Sequence, residues 1–150
     1  MTFKKILCAV DFSDPSRDAL RAAADLARTA GVPLVLIHVW QPPLWTTDYG
    51  IQLPNDALLE ARGVEESKLA SWQAEAHQLG AHDVTTRLVR GVPWDEIVGA
   101  ARDDKAIDVI VLGTHGRTGL QRALIGSVAE RVVRHAPCTV MVVGSRDRET

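Results

Sequence analysis

The sequence has no apolar run approaching the roughly 20 residues needed to cross a bilayer, which excludes a membrane-spanning helix. It has no excess of basic charge either. Seventeen Lys and Arg stand against 19 Asp and Glu, for a formal net charge of −2. A nucleic-acid grip needs a concentrated basic surface to displace counterions, so that class is excluded as well. Cysteine is scarce: Cys8 and Cys138 are the two present. Neither belongs to a Cys-x-x-Cys pair, and the five histidines show no ligand spacing around them, so a zinc site has no support. Both cysteines sit in apolar, strand-like runs and read as buried, reduced thiols acting as small hydrophobes. There is no internal repeat, low-complexity tract or interdomain linker. The N-terminus, Met1-Thr2-Phe3-Lys4-Lys5, passes at once into strand-like sequence without a signal-peptide core or cleavage site, and the expected location is the cytoplasm.

What is present has the balance of an ordinary globular chain. Its 150 residues are 46% hydrophobic and 24% charged, suited to one domain spanning residues 1–150 with a real core. Five short β-rich runs lie at residues 3–10 (FKKILCAV), 33–40 (PLVLIHVW), 84–89 (VTTRLV), 107–112 (IDVIVL) and 138–143 (CTVMVV). Near-continuous Val, Ile and Leu at this length suit parallel strands covered on both faces. Segments of helical period separate them. Asp14-Pro15 opens the first as a cap-type residue followed by Pro, Leu20, Ala23, Ala24 and Ala27 form its stripe, and Gly31 with Pro33 ends it. The second carries Leu58, Ala61, Leu69, Trp72, Ala76 and Leu79 and stops at Gly80. A short third follows Pro93 with Ile97, Val98 and Ala101. A fourth begins at Ser127 with Val128, Ala129, Val132 and Val133, ending before Pro137. This alternation of strand and helix predicts a doubly wound α/β fold: a parallel sheet with right-handed crossovers.

One long connection, residues 41–55 (QPPLWTTDYGIQLPN), holds three prolines, Trp45 and Tyr49. Loops of that length often serve as functional lids, but the simpler expectation is that Trp45 and Tyr49 cover the sheet. The other glycine-bearing stretch is more informative. Gly113-Thr114-His115-Gly116-Arg117-Thr118-Gly119 follows the fourth strand directly, and Gly126-Ser127 opens the next helix. Ligands in doubly wound sheets bind beyond the carboxyl ends of strands, where the strand order reverses. Glycine permits positive φ there and lets N–H groups approach a ligand closely. A helix start offers unpaired N–H groups and the positive end of the dipole, which suits phosphate, and the Ser127 hydroxyl adds a donor. The same glycines could equally be turn and loop residues. The pattern is not a P-loop, since no Lys precedes Ser127, and it is not G-x-G-x-x-G.

The spacing of Gly113, Gly116 and Gly126-Ser127 is G-x2-G-x9-G-[S/T]. With it, the chain resembles the nucleotide-binding branch of the universal stress protein family. Val10-Asp11-Phe12-Ser13 looks like that family's first strand ending, Ile37-His38-Val39 like its second, and Ala136-Pro137 with residues 138–143 like its last strand. The resemblance covers about residues 3–144. It implies a Rossmann-like sheet, similar to the adenine nucleotide alpha hydrolases, in strand order 3-2-1-4-5. Asp11 and Gly113 would then flank one crevice. By similarity, Asp11 would contact the nucleoside and the Val39 backbone would meet adenine. Ala9, Val10 and Leu112 would line the pocket, Gly113 would lie near the ribose, and Gly116, Gly126, Ser127 and Val128 would hold phosphates. Of the loop cations His115, Arg117 and Arg122, Arg117 is the chosen phosphate partner. The ligand implied is ATP, with Mg²⁺ brought by the triphosphate, because no all-protein metal cage stands out. With strand four between strands one and five, Cys8 and Cys138 would lie about two strand spacings apart, roughly 9–10 Å, too far for a disulfide.

Three functions compete: a nucleotide-binding stress-response or signalling protein, an ATP-consuming enzyme, and a dimerising interaction module with a vestigial pocket. No catalytic base or nucleophile stands out, and G-x-S-x-G, S-G-G-x-D-S and H-x-G-H are all absent. The expectation is a protein that holds ATP and hydrolyses it slowly at most. The resemblance also implies a homodimer through the last strand, from Cys138 through Val143, whose apolar edge must be paired or covered.

Overall fold

The computed structural model describes residues 2–42, 55–114 and 125–144. Nine elements alternate along these residues: β1 (Lys5–Ala9), α1 (Asp14–Ala30), β2 (Leu34–Trp40), α2 (Asn55–Gln78), β3 (Val84–Arg90), α3 (Pro93–Asp103), β4 (Ile107–Gly113), α4 (Ser127–His135) and β5 (Thr139–Val143). The strands form one sheet in the order β3-β2-β1-β4-β5, and every neighbouring pair is parallel. This is the doubly wound, Rossmann-like order expected.

Period-two alternation divides the core. Ile6 and Cys8 of β1, Leu34 and Leu36 of β2, and Val109 and Val111 of β4 pack with Ala19, Leu20, Ala23 and Ala24 of α1 and Leu69, Trp72 and Ala76 of α2. Leu7, Val35, Ile37, Ile110 and Leu112 face the other way, against Ile97, Val98 and Ala101 of α3 and Ala129 and Val132 of α4. Strands covered on both faces need apolar residues at every position, which explains the continuous runs. The small alanine stripe on α1 lets that helix lie close over the centre of the sheet.

Several boundaries differ from expectation for identifiable reasons. Ser13, not Asp14, caps α1: its side-chain oxygen accepts the Ser16 N–H, while Asp14 falls in the first turn ahead of Pro15. Gly31 closes the helix in the left-handed conformation, with φ 67°. In α2 the expected stripe holds only in its second half. Leu58 and Ala61 are half-buried and Leu79 is exposed, and Leu69, Trp72 and Ala76 are the buried residues of the helix. Val133 of α4 is also exposed, on the side away from the sheet. Cys8 is buried, but Cys138 is half-buried, since it precedes β5, an edge strand among the described residues. Both are free thiols. Among the described residues no helix is long and apolar enough to cross a membrane.

Candidate functional site

β1 and β4 lie side by side, and the chain leaves their carboxyl ends toward helices on opposite faces of the sheet. A crevice opens at such a reversal. On the β1 side, the Val10 N–H extends the pairing with β2 by donating to the Ile37 carbonyl (2.9 Å). The backbone then turns through Asp11-Phe12-Ser13. Asp11 Oδ1 accepts from the Ser13 N–H (3.0 Å) and from the Ser13 hydroxyl, and Phe12 takes φ 66°. Such a self-bonded carboxylate stabilises a tight turn. The Asp11 N–H in turn donates to Ser16 Oγ (2.9 Å), tying the turn to the first turn of α1. Asp11 is therefore a turn residue, and it also lines the cavity described below.

On the β4 side, the Thr114 N–H donates to the Val143 carbonyl (3.1 Å), and the Thr114 carbonyl accepts the Gly126 N–H. The second bond brings the start of α4 back to the end of β4. Gly126 caps α4 without a side-chain hydrogen bond, and Ser127 is the first helical residue. The leading N–H groups of α4, which have no carbonyl one turn earlier to bond, point out of this end. Gly126 has φ −61°, and Gly113 is not among the positive-φ glycines. Neither glycine is required for an unusual backbone angle, contrary to one reason for expecting glycine here. Close approach is the reason at Gly113, where a Cβ would stand 2.7 Å from the Pro15 carbonyl oxygen.

Between the two sides lies a cavity of about 290 Å³, near the lower end of the roughly 300–1,000 Å³ common for small-molecule sites. Of the eleven residues expected to form a site, Ala9, Val10, Asp11, Val39, Leu112, Gly113, Gly126, Ser127 and Val128 all line it. Gly116 and Arg117, with His115 and Arg122, lie outside the described residues, as do Trp45 and Tyr49. Ser16, Ile37, Pro93, Ile97, Thr114 and Ala129 also line the cavity and were not foreseen. Ile37 was findable, since it lies two residues before Val39 on the same strand and must share its face. Pro93 and Ile97 were not, because only the packing of α3 brings them over β2.

The cavity has two chemical characters. Ile37, Val39, Pro93, Ile97 and Leu112 make an apolar wall from β2, α3 and β4, while Asp11, Thr114 and Ser127 add polar groups beside the α4 N-terminus. Among the described residues lining it, Asp11 is the one charged side chain. Among the described residues no cluster of three or more His, Cys, Asp or Glu is placed to hold a metal ion.

The sequence profile of the universal stress proteins matches residues 2–144. The chain belongs to the universal stress protein family. A universal stress protein of Methanocaldococcus jannaschii is 38% identical over 149 residues, spanning 98% of this chain and 85% of the relative. Among solved structures, the universal stress protein UspA from Lactobacillus plantarum superposes with a TM-score of 0.81 at 28% identity, over 95% of this chain and 99% of the other. Two further universal stress proteins were solved with adenine nucleotides. One is a complex with cAMP (25% identity, TM-score 0.71, 97% of this chain and 100% of the other). The second is the Archaeoglobus fulgidus protein with dAMP (28% identity, TM-score 0.67, 95% of this chain and 99% of the other).

Proposed function

We propose that this universal stress protein binds an adenine nucleotide, ATP in preference, in the cavity between the ends of β1 and β4. The observation that carries the reading is the joining of an apolar wall to a helix N-terminus in one cavity. A purine ring is satisfied by the first, and a phosphate chain by the second. Asp11 is assigned to the nucleoside and Val39 to the base edge. Gly113 is assigned to the ribose, and Gly116, Arg117, Gly126, Ser127 and Val128 to the phosphates. Mg²⁺ would travel with the triphosphate. The complexes of two relatives with cAMP and dAMP support the choice of adenine.

The nucleotide acts here as a ligand that biases conformation or assembly in a stress response, and hydrolysis is slow at most. Asp11 already accepts two hydrogen bonds from Ser13, which suits it to positioning more than to proton transfer. The assembly proposed is a homodimer formed by antiparallel pairing of β5, one of the sheet's two outer strands among the described residues, whose Met141 is exposed and whose Val140 and Val142 are half-buried. A single domain in the cytoplasm, where ATP is supplied and the free thiols stay reduced, completes the reading.

Isothermal titration of the purified protein with ATP and Mg²⁺ tests the central claim: saturable binding is expected below millimolar nucleotide, and its absence at millimolar ATP would sink it. Release of ADP at many turnovers per minute would replace the binder with an enzyme. A sedimentation mass of one chain at micromolar concentration would remove the dimer.

A further inference from the structure

His38 lies on β2 between Ile37 and Val39, which line the cavity, so its own side chain points to the opposite face of the sheet. It is buried, with 6% of its surface exposed, and a buried imidazole needs its two nitrogens accounted for. Nδ1 lies 2.8 Å from the Val10 carbonyl oxygen. A carbonyl only accepts, so Nδ1 carries the proton and donates it. Nε2 lies 2.9 Å from Glu65 Oε2 of α2, a close approach outside hydrogen-bond alignment, because that oxygen accepts none among the described residues. The Phe12 ring packs on the imidazole with centroids 4.4 Å apart, and Trp72 of α2 meets Phe12 edge-on at 5.3 Å. Lys68 of α2 stands 3.8 Å from Glu65 Oε1 and 5.8 Å from the Phe12 ring centre. His38 therefore touches both residues that flank Asp11.

We infer that His38 is a positioning residue for the cavity, holding Asp11 by gripping Val10 and Phe12 from behind the sheet while Glu65 of α2 steadies its outer nitrogen. The inference rests on the nucleotide-binding reading above and goes beyond it, because His38 does not itself line the cavity. The Phe12 backbone explains the need. A residue with a side chain at φ 66° is in a sparsely populated conformation and stays there only when its surroundings hold it. Packing of the Phe12 ring between the tilted His38 ring and the edge-on Trp72 supplies that hold, and the Nδ1–H bond fixes the Val10 carbonyl, which belongs to the peptide that leads into Asp11. The same imidazole binds α2 to the turn, so the seating of α2 and the position of the Asp11 carboxylate become one variable.

Two substitutions separate the nitrogens. His38→Asn places an amide N–H near the position of Nδ1 and withdraws from Glu65, whereas His38→Gln reaches toward Glu65 and abandons the Val10 carbonyl. Both should lower Tm, since each loses the ring packing on Phe12 and one of the two polar contacts. Titration with MgATP should find His38→Gln about tenfold weaker than His38→Asn, the worth of the one hydrogen bond to Val10 that separates them. Equal affinities in the two variants, whether both retained or both lost in step with Tm, would overturn the inference. Should neither variant fold, wild-type protein with ¹⁵N-labelled histidine decides. The His38 Nδ1–H resonance should be protected from exchange and should shift on saturation with MgATP. An unshifted or rapidly exchanging signal overturns the inference. Failure of wild type to bind nucleotide removes the functional reading itself, a result distinct from binding that ignores His38.

Discussion

Gly113, the last residue of β4, and Pro15, in the first turn of α1, approach so closely that a Cβ on the glycine would lie 2.7 Å from the proline's carbonyl oxygen and 3.0 Å from its Cβ. The obstruction is backbone, which cannot swing aside as a flexible side-chain tip would. Gly113→Ala should therefore force α1 away from β4 at the mouth of the cavity. A loss of about 1–3 kcal/mol, the range for overpacking a filled site, is expected from urea unfolding. An alanine variant as stable as wild type would show that α1 and β4 are not clamped here.

Gly126→Val addresses the other side of the cavity. Gly126 has ordinary extended angles, φ −61° and ψ 157°, so valine meets no backbone penalty. Its bulk would instead stand over the N–H groups of α4 where the phosphates are proposed to sit. Affinity for MgATP should drop by about tenfold or more, equivalent to about 1.4 kcal/mol, with unfolding free energy changed far less. Unaltered affinity would remove the α4 N-terminus from the site.

Burial pushes the Cys8 thiol up from 9.0 to about 12. The folded protein keeps this proton more tightly than the unfolded chain does, so stability should fall as pH rises above 9 and go on falling toward 12. Between those values the folded Cys8 is a thiol and should not react with an aromatic disulfide reagent. Burial and the nearby Asp108 raise the half-buried Cys138 as well, leaving it the slower-than-normal but accessible partner. Thiol counting at pH 8 should find at most one slow cysteine in native protein and two fast ones in denaturant. Two fast thiols in the native state would contradict this burial.

Asp104 lies just after α3. A hydrogen bond from Lys5 at 2.7 Å, and another from the Ala106 N–H at 3.0 Å, hold its carboxyl below the usual carboxylate value. The folded state then binds the Asp104 proton more weakly than the unfolded chain. The contribution is present above the unfolded value and is lost as pH falls through the folded one. Asp104→Asn should accordingly lower Tm at neutral pH, and the gap to wild type should close in acid. A gap independent of pH would assign the loss to packing rather than to charge.

Much of the architecture was legible because burial on both faces leaves a local mark. Runs such as residues 109–112 are buried and apolar at every position, and Gly31 and Pro93 punctuate the helices next to them. The cap of α1 was misread by one residue, since Ser13, Asp14 and Ser16 are all capping types and only the turn geometry chooses among them. Leu58, Ala61 and Leu79 were misassigned to a buried stripe because helical spacing says which residues share a face, not how far along it the sheet extends. Within the cavity, most residues next to strand ends were assigned from the family resemblance, whose motifs lie at those ends, while Thr114, just past β4, was missed. Pro93 and Ile97 were missed because they belong to a helix that reaches the cavity only by packing.

By itself the sequence determined the alternation of elements, the two-faced burial of the strands, and the spacing that places Gly113 at a strand end and Gly126-Ser127 at a helix start. Those features are local or periodic, so each is written within a few residues of where it acts. Tertiary structure decided the rest. It put Pro15 against Gly113, carried α3 over β2 to finish the apolar wall, and set His38 behind Asp11 with Glu65 at its outer nitrogen. Those pairs are far apart in the chain, and no local pattern encodes them. They exist because the parallel crossovers stack helices from distant segments on one central pair of strands.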